Sequence, residues 1–165
     1  MPPSPTAALE MPPLDSPERR RLPVLLRSAW YGLNQAFRRR IFHTGLTPDQ
    51  FTALRNLHEA GPDGLNQSQL TKRMSSDPNT IASLVDRMRK SGLIDRRHDS
   101  GDRRAYRLRI NAKGSRYYRT ARRAAIALQE TVLSAIEPTA REAFLEQLNA
   151  LADACLKAAA KPPKR

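Results

Sequence analysis

Residues 77–114 constrain the fold of this chain more than any other stretch. Asp77-Pro78 sets a capping residue before a proline at the first helical position, where a missing N–H costs nothing. From there Ile81, Leu84, Val85 and Met88 recur at i, i+3, i+4 and i+7, one apolar stripe along a helix predicted to end at Lys90 before Gly92. Residues 93–97 and 105–110 then alternate as two short strands, with Tyr106, Leu108 and Ile110 on one face and Asp99-Ser100-Gly101-Asp102 as the turn between them. Asn111 caps a further helix at once. Such a helix–hairpin–helix unit can bury its stripes only against other helices.

Those helices are legible on both sides. Leu22, Leu26, Trp30, Leu33, Phe37 and Ile41 step by three or four and predict a first helix over 22–43. Thr47-Pro48-Asp49-Gln50 is a capping box that opens a second, with Phe51, Leu54 and Leu57 inward and Gly61-Pro62-Asp63-Gly64 as its stop. Asn66 and Gln69 open a short third helix through Met74, and Ser75-Ser76 separates it from the fourth. The helix after Asn111 carries Tyr117 or Tyr118, Ala121, Ala125, Leu128, Val132 and Ile136. A sixth opens at Pro138 with Phe144, Leu148, Leu151 and Cys155 inward. The expected class is mainly α with a small antiparallel β-wing: a winged helix-turn-helix in the order α-α-α-α-β-β-α-α. Proline-rich residues 1–21 are expected to be a disordered tail and 161–165 a basic tail. Residues 47–110 form the winged module, and 22–46 with 111–160 form a helical dimerisation region drawn from both ends of the chain.

Charge narrows the function. The chain carries a formal +13, and residues 86–123 alone hold 14 Arg and Lys against four Asp. Solubility is served by mixed signs; a concentrated field marks a face for a polyanion. On the fourth helix the stripe opposite the apolar one holds Asn79, Thr80, Ser83 and Arg87, side chains suited to base edges in a major groove. The open helix N-terminus offers N–H groups to a phosphate. Arg96, Arg97, Arg103, Arg104, Arg107 and Arg109 flank the hairpin turn, where arginine can enter a narrow minor groove, and Asp102 can hold Arg104 in place. The expected DNA-contacting set is Ser76, Asn79, Thr80, Ser83, Arg87, Lys90, Arg97, Asp102, Arg103 and Arg104, with double-stranded DNA as partner.

The stretch from Gln69 to Gly114 resembles the MarR (multiple antibiotic resistance regulator) family. Leu70-Thr71-Lys72-Arg73-Met74, Asp77-Pro78-Asn79-Thr80-Ile81, Leu84-Val85-Asp86-Arg87-Met88 and Gly92-Leu93-Ile94 look like its helix-turn-helix. Asp102-Arg103-Arg104 and Ile110-Asn111-Ala112-Lys113-Gly114 look like its wing and the start of the next helix. The resemblance extends over about residues 22–158. It implies a transcriptional regulator, an obligate homodimer joined through the first, fifth and sixth helices, with helix four in the major groove and Arg104 in the minor groove. It also implies a small aromatic effector between the dimer helices and the winged module, to which Trp30, Phe37 and His43 could contribute. Two positions depart from the family pattern: Ser83 stands where many members carry Arg, and Asn111 replaces the usual Thr. The dimer has a physical argument too, since a winged module alone cannot cover the stripes of helices one, five and six.

Other chemistry finds little support. His43, His58 and His98 lack metal-ligand spacing, and no paired nucleophile and base or glycine-rich phosphate loop occurs, so neither an enzyme nor a cofactor is expected. The one cysteine, Cys155, reads as a small buried apolar residue. No apolar run reaches membrane-spanning length and no signal-peptide core is seen, which points to a cytoplasmic, nucleoid-associated protein without membrane contact. The alternative is a sequence-neutral architectural DNA binder, which would share the charge without needing a Ser/Thr/Asn reading face.

Overall fold

The computed structural model describes Pro13, Ser16, Pro17 and residues 19–98 and 106–160. Six α-helices and one two-stranded antiparallel sheet follow in the expected order: α1 (Leu22–Ile41), α2 (Pro48–Glu59), α3 (Gln67–Arg73), α4 (Pro78–Lys90), β1 (Ile94–His98), β2 (Tyr106–Ile110), α5 (Ala112–Leu133) and α6 (Arg141–Ala160). This is a winged helix-turn-helix with a helix before the module and two after it.

The capping chemistry operates as the residue types require. Thr47 and Gln50 form a reciprocal capping box at α2, and Asn66 and Gln69 form another at α3. The helix ends are equally specific. After α3 the Ser76 N–H reaches the Thr71 carbonyl and the Ser75 N–H the Lys72 carbonyl, a Schellman closure. Ser75 adopts φ +48°, which glycine usually fills. After α4 the same closure uses Gly92 at φ +66°, with Leu93 N–H donated to the Met88 carbonyl. That bond accounts for a shift in the strands. Leu93 is committed to the helix cap, so the ladder starts at Ile94 rather than residue 93 and pairs Ile94 with Ile110 through to His98 with Tyr106. The second strand is described from Tyr106; position 105 lies outside the described residues.

Two other boundaries move. The first helix ends at Ile41, not 43, because the chain tightens into a 3₁₀ turn at Phe42–Thr44 that closes on Gly45. Pro138 likewise opens a 3₁₀ turn, Pro138–Ala140, ahead of α6. A pairing not expected from the sequence joins Leu65 to Leu108, with N–H to carbonyl distances of 3.0 and 2.7 Å, so the segment before α3 borders the wing.

One continuous core gathers Phe37 and Ile41 of α1, Leu46, the inner faces of α2 to α4, Leu93, Ile94 and Leu108, and Tyr118, Ala121 and Leu128 of α5. Of the two tyrosines left open above, Tyr118 is the buried one; it stacks on Phe51 at 5.6 Å, and His58 rests against it at 4.8 Å. The ends of the fold differ sharply from this. No residue of α6 is buried, and its principal neighbour is the 3₁₀ turn before it. Cys155, expected inside, is exposed in the single chain because nothing packs over its helix. Leu22, Leu25, Trp30 and Tyr31 of α1 are exposed as well, Trp30 by 65%. No described helix is long and apolar enough to cross a membrane.

Candidate nucleic-acid interface

Helix α4 is aimed by what it buries. Ile81, Leu84, Val85 and Met88 face the core, each worth about 1.5–3 kcal/mol of apolar burial. That anchoring turns Asn79, Thr80, Ser83, Arg87 and Lys90 outward, where all five are exposed on one side of the helix; Ser76, in the turn before it, is half-buried. Arg87 has no carboxylate partner among the described residues, whereas Lys90 lies 2.7 Å from Asp86 and Arg97 lies 3.8 Å from Asp95. Both pairs are exposed and weak, so a phosphate can exchange for either carboxylate. The Lys90 ammonium, by hydrogen bond first and charge second, holds the Asp86 carboxyl below its usual range.

The C-terminal half of α4 and β1 enclose an open groove of about 550 Å³, lined by Asp86, Arg89, Lys90, Ile94, Asp95, Arg96 and Arg97. It makes the helix and the hairpin stem one continuous surface. The arginines of the stem do different things. Arg96 lays its guanidinium 3.8 Å above the Tyr106 ring, and His98 lies 4.4 Å from the same ring. Arg107 donates to the Gly64 carbonyl at 3.5 Å, and the Arg109 Nε is buried without a hydrogen-bond partner. Arg107 and Arg109 are therefore half-buried against the turn before α3, not free at the wing as the hairpin pattern suggests. Asp102, Arg103 and Arg104 lie outside the described residues.

The start of α4 corrects one expectation. Its N-terminus is not open, because the Asp77 carboxylate accepts the Thr80 N–H at 2.9 Å and Pro78 contributes no N–H. Thr80, through its side chain and then its backbone, holds the Asp77 carboxyl below the ordinary aspartate value. A carboxylate at this position repels a phosphate, so the contacts of α4 fall to its side chains. The depressed value fixes a pH dependence. The cap is complete above the ordinary aspartate value of about 3.9 and is lost as pH falls through that value and below it. The Thr80 amide resonance is expected to titrate in that acidic window in the native chain and to stay flat in Asp77→Asn, which keeps an acceptor without a charge.

Behind the surface, Asn111 does more than cap α5. Its Oδ1 accepts the Gly114 N–H at 2.9 Å, while its Nδ2 donates to the Gly92 carbonyl at 3.1 Å and to Asp95 at 3.3 Å. Lys113 Nζ donates to the Ser91 carbonyl at 2.7 Å. Threonine could supply the cap but not the two amide bonds, so the departure at 111 ties the start of α5 to the end of α4 and to β1. Sequence reasoning identified the cap alone, since these partners lie 16 and 19 residues away.

The residues expected at an effector pocket are not brought together. Phe37 packs edge-on against Phe51 in the core at 4.8 Å, and Trp30 stands exposed farther up α1. His43 lines a separate cavity of about 230 Å³ with Thr44, Arg116, Tyr117 and Thr120. Among the described residues no cluster of three His, Cys, Asp or Glu could hold a metal ion.

Helix-turn-helix, hairpin and basic groove together define the class: a winged helix-turn-helix protein. Residues 46–106 match the model of the MarR family, and across that segment the chain carries a MarR-family module. An uncharacterized HTH-type transcriptional regulator, YsmB of Bacillus subtilis (strain 168), is 35% identical over 71 residues, which are 43% of this chain and 47% of YsmB. The chain thus spans less than half the length of the curated relatives it matches. Similar solved structures extend over more of it. The transcriptional repressor CouR bound to a 23-mer DNA duplex is 25% identical, with a TM-score of 0.71 over 79% of this chain and 92% of that one; CouR comes from Rhodococcus jostii RHA1. The MepR–DNA complex of S. aureus reaches a TM-score of 0.76 over 82% and 99% of the two chains at 18% identity, a likeness of fold.

Proposed function

We propose that the protein is a homodimeric, sequence-specific DNA-binding transcriptional regulator that represses from a pseudo-palindromic operator. The observation that carries this reading is the exposed row Asn79, Thr80, Ser83 and Arg87 on a helix whose other face is locked into the core, beside a groove rich in basic side chains. Short hydrogen-bonding side chains with an unpaired arginine suit base readout, and the relative CouR has been seen on a DNA duplex. Wing-tip Asp102, Arg103 and Arg104 would complete the contact.

The unburied α6 and the exposed first half of α1 support a dimer. Phe144, Leu148 and Leu156 of α6 and Leu22, Leu25, Trp30 and Tyr31 of α1 are apolar surface that a second copy would cover. Two copies of α4 about a dyad would meet half-sites about one helical turn apart. In this reading a small aromatic ligand seated between α1 and α5, near His43, shifts the spacing of the two modules and releases DNA; CouR, for comparison, has been solved with p-coumaroyl-CoA.

The test is selection of duplexes from a random pool, followed by affinity at several salt concentrations. A single enriched palindromic sequence should emerge and survive about a thousandfold excess of bulk DNA. If each protomer neutralises about five phosphates, log K against log salt should fall with a slope near −9. Enrichment of nothing, or a slope shallower than about −3, would overturn the reading.

A further inference from the structure

The basic field does not stop at the winged module. Helix α1 contains no acidic residue, and α5 contains none before Glu130, yet Arg38, Arg39 and Arg40 close α1 and Arg116, Arg119, Arg122 and Arg123 line the first half of α5. All seven are exposed and none is paired with a carboxylate among the described residues. The two helices pack on each other, and His43, Thr44, Arg116 and Thr120 line one cavity where they meet. From that cavity one row continues along α5 through Arg116, Thr120 and Arg123, while Arg39 and Arg40 precede His43 by one turn of the other chain segment. Like charges three and four residues apart weaken a helix, so this arrangement is unfavourable unless a polyanion lies against it.

We propose that the end of α1 and the first half of α5 form a second phosphate-contacting face, which grips duplex DNA beyond the phosphates under α4 and the wing. Arg116 to Arg123 spans about 10 Å of helix axis, roughly the length of three phosphates of one strand. The face has no short amide or hydroxyl row beside its arginines comparable to that of α4, so it adds affinity and salt dependence without reading bases. This rests on the DNA-binding reading above.

The test compares the full chain with a triple variant, Arg40→Gln, Arg116→Gln and Arg123→Gln, on the selected duplex across a salt series. Each lost phosphate contact flattens the slope by about 0.9, so with two protomers the change should be at least about 2, with preference at every operator position unchanged. A triple Arg→Lys variant at the same positions should keep the native slope, which separates charge from folding. A native slope in a folded Gln variant overturns the inference while leaving the regulator reading intact. So does an unchanged slope with a weakened dimer, which would assign the arginines to acidic residues of the partner's α6. Failure of the native chain to bind any duplex instead overturns the DNA reading itself.

Discussion

Gly114→Ala is expected to destabilise the protein by about 3 kcal/mol, the opposite of what helix propensity indicates. Alanine within a helix is ordinarily favoured over glycine by about 1 kcal/mol, and Gly114 sits in the first turn of α5. A Cβ there would overlap the Leu93 carbonyl oxygen and stand 3.0 Å from Ile110 Cγ1. The oxygen is backbone and cannot swing aside. Leu93 is held by the cap of α4 through Met88, and its carbonyl also accepts the Asn111 N–H at 3.4 Å. To admit a methyl group, α5 must lift from the hairpin, and the bonds of Asn111 to Gly92 and Asp95 must stretch with it. Urea unfolding of the native chain and the variant measures the difference. Equal or greater stability in the variant would show that α5 does not approach the start of the wing so closely.

Arg87→Ala and Ser83→Ala carry the second large effect, on recognition. If each side chain makes a base contact, its loss costs about 1–3 kcal/mol per half-site, or about 5- to 150-fold in affinity. The loss should be confined to one operator position in each half-site. Both residues are exposed and contribute nothing to the core, so thermal stability should stay within about 0.5 kcal/mol of native. Arg87 should show the larger effect, because a guanidinium can bond a guanine bidentately and this one has no internal carboxylate to return to. A uniform loss across all sequences would instead place Arg87 on a phosphate.

The parts of this fold that obey local rules were readable in advance. Thr47 with Gln50, Asn66 with Gln69, and Asp77 with Pro78 each set a helix start from residues within three positions, and the stripe from Ile81 to Met88 decided which face of α4 is free. What escaped was long-range. The Leu65–Leu108 pairing, the reach of Asn111 to Gly92 and Asp95, and the folding back of Arg107 and Arg109 onto the turn before α3 depend on segments brought together only in the finished core. A run of arginines in a hairpin looks uniform in the sequence, although two of its members support the wing from behind. The apolar stripe of α6 was legible, but a stripe does not state whether its cover lies in the same chain; here it does not. Asp77 could be read both as a cap and as the edge of an open helix end. The geometry makes it a cap, and a negatively charged one.

The account stands on α4 and the hairpin acting as one DNA-facing surface, and amide shift mapping on the selected duplex tests this most directly. Titration is expected to move the resonances of residues 76–90 and of the hairpin, with Asn79, Ser83 and Arg87 foremost, while those of α6 stay in place. Shifts concentrated in α6 and the first half of α1, with α4 silent, would contradict it.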